Sequence, residues 1–202
     1  MIHHRPQALD PDPARCRLLI RSVVINGGLM LSLTLPTGRV ENVDHLGFSP
    51  NAFIRIDSDG QVFLTLPYVE GGQDNHTLMP LLIAEELEVS PNQVHLEQVA
   101  RSERRSSKAT PGARVGGNSN AIHNAWMPLR EASATARVML IAAAARYWDV
   151  DARFCHAHEG EVIHTTTWRK LRYGELAAEA ARIPIPKSVE LKEPTATALR
   201  RA

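Results

Sequence analysis

Only two cysteines, Cys16 and Cys155, occur in 202 residues. They are too few and too far apart for a disulfide framework, a zinc pattern or an iron–sulfur ligand set, and they read as free or buried thiols. Aromatic residues are scarce at 5%, so a core must rest on Leu, Ile, Val and a large share of Ala. Alanine buries little area, which puts the burden on close approach of helices and predicts a core that is marginal without a partner. Charge of one sign is missing as well: a formal net charge of +1 gives no global case for nucleic acid or an acidic partner. Long hydrophobic runs are absent. The apolar stretch from Val23 to Leu35 is broken by Asn26, Gly27, Gly28, Ser32 and Thr34, too short and too polar to span a bilayer. No Walker loop, G-x-G-x-x-G, G-x-S-x-G or H-E-x-x-H occurs, which removes the usual nucleotide and hydrolase signatures. The chain also contains no internal repeat. Hydrophobic content of 44% with 22% charged residues is that of a globular protein.

Against these absences stand two glycine-bearing turns. Tyr68-Val69-Glu70-Gly71-Gly72-Gln73 precedes a helical pattern running to Glu88, and Val115-Gly116-Gly117-Asn118-Ser119-Asn120 precedes another. Glycine lets backbone approach a ligand closely and adopt positive φ. The first free N–H groups of the following helix then favour an anion. Two such turns suit the grip on a large phosphorylated cofactor. A plain strand-to-helix turn at the first, and a plain cap by Ser119 or Asn120 at the second, are the simpler readings.

Between and after the turns the pattern is mixed α and β. Phe53–Asp57 and Gln61–Tyr68 read as strands joined by the hairpin signal Ser58-Asp59-Gly60. Leu78, Leu81, Leu82 and Leu87 fit a helix whose last turns carry Glu85, Glu86 and Glu88. Acids there oppose the helix dipole, so partners are expected for them. Val94, Leu96 and Gln98 suggest a strand, and the Ser-rich stretch 101–114, with five basic residues and one acid, reads as a loop. Trp126, Leu129, Ser133, Ala136, Leu140, Ala143 and Tyr147 trace one face of a long helix within Ser119–Trp148. Pro128 is expected to start that helix or kink it near its beginning. A hairpin around Glu159-Gly160 and a short helix over Tyr173–Ala181 complete the series. Of His156, His158 and His164, alternation could place the first two on one face of a strand, but no third ligand of clear metal spacing appears.

The first fifty residues stand apart. Arg15, Arg17 and Arg21 precede the apolar run, as in an export signal, yet no A-x-A cleavage site follows. A signal-like segment, a buried local strand and a surface segment all remain open for Val23–Leu35, and 39–50 reads as a linker.

Taken in order, several stretches carry a resemblance. Asn51-Ala52-Phe53-Ile54-Arg55-Ile56, the Val69-Glu70-x-Gly72-Gln73 turn, Ile83-Ala84-Glu85-Glu86-Leu87, Gly116-Gly117-Asn118-Ser119, Trp126-Met127-Pro128-Leu129-Arg130 and Leu171-Arg172-Tyr173-Gly174-Glu175-Leu176 follow one another. The series resembles the N-terminal part of the molybdopterin-binding (beta) subunit of isoquinoline 1-oxidoreductase-type enzymes, in the xanthine dehydrogenase and aldehyde oxidase superfamily. The likeness runs from Ser49 to about Pro194, most of this chain but a minority of the family's long subunit.

That resemblance implies an α+β fold, an incomplete molybdenum-hydroxylase cofactor-binding domain. It divides the chain into a signal-like segment and linker (1–50), a partial molybdopterin-binding domain (51–194) and a divergent tail (195–202). The implied ligand is the molybdenum cofactor, as molybdopterin or its cytosine dinucleotide form. Gly72 and Gln73 would approach it from one side, the Gln73 amide donating to an oxo or pterin acceptor. Gly116, Gly117, Asn118 and Ser119 would meet the pterin or the dinucleotide phosphate. The family commonly has Met-Gly-Gln-Gly at the first turn, where this chain has Gly71-Gly72-Gln73-Asp74. Asp74 costs a glycine's freedom and puts a carboxylate near an anionic ligand, which puts cofactor retention in doubt.

Oxidation of N-heterocycles or aldehydes is the implied activity, with the base in the far C-terminal part of the subunit. No residue here matches it; Glu70, Glu85 and Glu86 read as ordinary turn or helix carboxylates. The implied partners are the rest of the large subunit, a small [2Fe-2S] subunit and a cytochrome c subunit. Related subunits often begin with a twin-arginine signal, but Cys16 separates Arg15 from Arg17. A working signal would place the protein in the periplasm or at the periplasmic face of the membrane; otherwise it is cytoplasmic. The isolated chain is expected to be inactive, and the competing class is a non-catalytic interaction domain that has lost the cofactor.

Overall fold

A computed structural model describes residues 20–33, 52–66, 73–98 and 119–193. Their elements run β1 (Ile20–Ile25), β2 (Gly28–Leu33), β3 (Ala52–Ile56), β4 (Val62–Leu66), α1 (Gln73–Leu87), β5 (Val94–Gln98), α2 (Ser119–Trp148), β6 (Cys155–His158), β7 (Glu161–His164), β8 (Lys170–Arg172) and α3 (Tyr173–Ala180). Strands β1 to β5 form one sheet in sequence order, and β6 to β8 form a second. This is the α+β arrangement expected from the sequence.

Alternation fixes the larger sheet. In β3 and β4 every second residue is buried, so Ala52, Ile54, Ile56, Val62, Leu64 and Leu66 share one face. Register lines up Leu31, Ile54, Leu64 and Leu96 in one row and Leu29, Ile56, Val62 and Val94 in the next. The opposite face carries Met30, Arg55, Phe63 and His95 in register, with the Arg55 guanidinium 4.0 Å from the Phe63 ring centroid. Pairing is antiparallel except between β4 and β5, which run parallel with α1 as the crossover.

The apolar run near the N-terminus resolves into strand. Residues 20–33 form the antiparallel β1–β2 hairpin, and β2 then pairs with β3. Leu29, Leu31 and Leu33 are wholly buried. Within this run Gly28–Leu33 is a buried strand, whereas Val23 and Val24 in β1 are exposed, and 34 and 35 lie outside the described residues.

Both long helices end alike. Glu88 (φ 57) and Asp149 (φ 55) adopt the left-handed conformation directly after α1 and α2. Val89 N–H then reaches back to the Ala84 carbonyl at 3.0 Å, and Val150 N–H to that of Ala145 at 2.9 Å. These are Schellman closures, which satisfy carbonyls the helix would leave orphaned. Helix α2 spans the residues expected, but Pro128 lies inside it rather than at its start. The face from Leu129 through Ala143 is buried as expected, whereas Tyr147 is 74% exposed. A seven-residue spacing drifts around a helix of 3.6 residues per turn, so three such steps carry Tyr147 off the covered face. Ala132, Ala134, Ala144 and Ala145 are buried too. Small side chains let α2 be packed on several sides at once, against α1, α3, β2 and the β6–β7 hairpin.

Strand β8, not foreseen in the sequence, leads directly into α3. Gly174, the second residue of α3, meets the β3–β4 turn so closely that a Cβ there would collide with the Ser58 carbonyl and the Gly60 nitrogen. Only glycine allows that contact of backbone with backbone. Beyond α3 the chain runs through 183–193 without helix or strand, with Ile183 and Ile185 packed on the core.

Candidate functional site

Of the sequence-designated site, Gly72, Gly116, Gly117 and Asn118 lie outside the described residues. Gln73 and Ser119 are the first residues of α1 and α2, and their side chains are likewise outside them. The local reason for both starts is sequence: in each case a glycine pair stands just upstream and a helical apolar pattern follows. Helices α1 and α2 pack directly on each other, so the two glycine turns open two helices of one packed pair. Each start leaves backbone N–H groups without an intrahelical acceptor, the chemistry that suits an anionic group. Asp74 is the second residue of α1, and Glu70 and the basic stretch 101–114 are outside the described residues.

Farther along the same pair lies a polar cluster the sequence signalled only through its misplaced acids. Glu86 is 1% exposed. Its Oε1 accepts from Arg130 Nε at 2.7 Å, and its Oε2 accepts from the Lys192 N–H at 3.3 Å. Arg137 Nη2 stands 3.9 Å from Oε2 and donates to the Glu190 carbonyl at 2.9 Å. Arg130 also donates to the Lys192 carbonyl, and the Lys192 ammonium reaches Glu88. The expectation that these acids have partners thus holds for Glu86 and Glu88. A buried carboxylate with no cation would be untenable, and here the cation and a backbone donor are both supplied. Beside it the Tyr173 hydroxyl donates to the Leu87 carbonyl at 2.5 Å. Burial above all, with the Glu88 charge second, pushes the Tyr173 hydroxyl well above the ordinary tyrosine range.

The histidines do not converge. His156 and His158 are on the exposed side of β6, whereas His164 is buried and its Nδ1 is 2.7 Å from Thr167 Oγ1. Cys155 is a free, buried thiol paired in register with His164, and burial pushes it up from the usual thiol range. Cys16 lies outside the described residues. Among the described residues no three His, Cys, Asp or Glu side chains gather as a metal site, and no helix is long and apolar enough to cross a membrane.

The sequence pattern of the molybdopterin cofactor-binding domain matches residues 28–198. The chain belongs to that family. The molybdopterin-binding domain assignment covers both helix starts and the Glu86 cluster. A curated relative, the isoquinoline 1-oxidoreductase subunit beta of Brevundimonas diminuta, is 34% identical over 141 residues, 69% of this chain and 18% of its own. Among solved structures, a Cu,Mo-CO dehydrogenase in its carbon monoxide reduced state superposes with a TM-score of 0.51 at 20% identity, over 89% of this chain and 22% of that one. That likeness concerns the fold alone. Quinoline 2-oxidoreductase from Pseudomonas putida 86 gives a TM-score of 0.47 at 19% identity, over 68% of this chain and 18% of its own. The chain therefore spans about a fifth of the length of these relatives.

Proposed function

We propose that this molybdopterin-binding domain serves the large subunit of an oxidoreductase acting on N-heterocycles or aldehydes, and that Gly72, Gln73 and Gly116–Ser119 receive the cofactor. One observation supports this site above the others: the packed helices α1 and α2 start at Gln73, directly after Gly71-Gly72, and at Ser119, one residue after Gly116-Gly117. The bound molybdenum cofactor would supply the redox chemistry, and the protein would supply binding and orientation. In that role the backbone N–H groups at the two helix starts hold phosphate or pterin oxygens, and the Gln73 amide donates a hydrogen bond without adding charge. Asp74, beside Gln73, weakens the grip by like charge.

The partners proposed are the remaining part of the large subunit, a [2Fe-2S] subunit and a cytochrome c subunit. The proposed cofactor form is the cytosine dinucleotide. Isolated chain is expected to reduce no dye with aldehydes or N-heterocycles, because half a site lacks the preorganisation catalysis needs. Purification from the native cell with metal and nucleotide analysis tests the reading: molybdenum and cytidine monophosphate should accompany the chain. Asp74→Gly should raise molybdenum occupancy, and Gln73→Ala should lower it. An assembled complex free of molybdenum would instead identify a non-catalytic interaction domain.

A further inference from the structure

We infer that Glu86 is a positioning residue for the cofactor site, acting by locking α1, α2 and the segment 187–193 into one register. The inference rests on the cofactor reading above for its consequence, but its geometry stands without it. Glu86 belongs to the last turn of α1, thirteen residues after Gln73, and Arg130 lies eleven residues after Ser119. At 1.5 Å per residue these are about 20 Å and about 17 Å from the respective helix starts. Along each helix the lock is thus several turns away from the start.

Its parts divide the work. Arg130 and Arg137 are seven positions apart, two turns of α2, so both face the same way. Arg137 holds the Glu190 carbonyl and Arg130 the Lys192 carbonyl, which makes the segment run toward the Ser119 end of α2 as its numbering rises. Glu86 closes the arrangement from α1, taking the Arg130 guanidinium on one oxygen and the Lys192 N–H on the other. Three separate stretches of chain therefore meet on a single carboxylate. Apolar contacts between α1 and α2 are non-directional and would tolerate sliding or rotation of one helix on the other. A buried ion pair whose carboxylate also holds a backbone N–H does not, because any displacement leaves charge unpaired away from water. Two helix starts that must grip one ligand need such a fixed register.

The test uses the full chain with Cys16→Ser and Cys155→Ala, carrying spin labels at Asp74→Cys and Asn120→Cys. The parent should give one narrow label-to-label distance, and Glu86→Gln should broaden or shift it. Arg130→Lys, which keeps a charge on Glu86 but loses the guanidinium's second bond, should fall between. Val162→Ala, in the smaller sheet, serves as a variant destabilised by another route and should leave the distance narrow. A parent distribution as broad as that of Glu86→Gln overturns the inference, as does equal broadening by Val162→Ala at matched loss of thermal stability. In the assembled complex, Glu86→Gln should lower molybdenum occupancy by about two- to thirtyfold, the range that substitutions between coupled sites produce. Unchanged occupancy beside a broadened distance would disprove the link to the site. A parent complex without molybdenum would sink the cofactor reading and leave the distance measurement to decide the lock.

Discussion

The row Leu31–Ile54–Leu64–Leu96 across the larger sheet and the cluster Glu86–Arg130–Lys192 between helices hold the molecule together in different ways. The row works by removing apolar area from water, a force without direction whose parts can be exchanged for others of similar volume. The cluster works by matched geometry among charges, and removing one member harms the others. The row therefore specifies that the strands collapse together, whereas the cluster specifies how helices already collapsed must sit.

Deleting residues 1–35 should have the largest effect on this contrast. It removes β1 and β2 with the wholly buried Leu29, Leu31 and Leu33, and should leave no cooperatively folding chain by calorimetry or circular dichroism. A folded deletion product would show that the sheet does not need its second strand.

Next in size, Arg130→Met should cost about 3 kcal/mol in denaturant unfolding, because it leaves the buried Glu86 charge with only the more distant Arg137 and one backbone N–H. Adding Glu86→Leu should recover most of that loss, since a buried pair replaced by apolar side chains is often neutral or better. No recovery would mean that the pair stabilises the fold outright.

For the row, Leu64→Ala should cost about 2–5 kcal/mol, while Leu64→Met should cost less than about 1.5 kcal/mol. Equal costs would mean that shape at this position matters as much as it does in the cluster.

The smallest effect concerns Tyr173. Its folded pKa lies above the ordinary value, so its contribution to stability is full below about pH 10 and is lost as pH rises through the alkaline range. Tyr173→Phe should cost about 0.5–1.5 kcal/mol at neutral pH and flatten that alkaline decline. A decline of unchanged slope in Tyr173→Phe would assign it to other groups.

What could be read from the sequence follows the same division. Strands β3, β4 and β5, the hairpin at Glu159-Gly160 and the span of α2 announce themselves by period and turn chemistry, which are local. The helix starts at Gln73 and Ser119 follow from the glycine pairs before them. The acids ending α1 signalled that partners were needed, but not that they would be Arg130, Arg137 and the Lys192 backbone, because such long-range pairing leaves no periodic mark. The hairpin β1–β2 hid for another reason. Its Asn26-Gly27 turn has positive φ at both residues, as a tight hairpin needs, but Gly28, Ser32 and Thr34 interrupt the apolar run that would have named a strand. Strand β8 is only three residues long, too short for any period to show.

The close fit of Gly174 against Ser58 and Gly60 has a consequence for the order in which the protein is made. A ribosome finishes the last strand of the larger sheet at Gln98, but α3, which covers part of that sheet, begins only at Tyr173. At usual translation speeds the interval is roughly 4–15 s. During it the leucines facing α3 are uncovered, and the nascent chain is most exposed to aggregation and most in need of a chaperone.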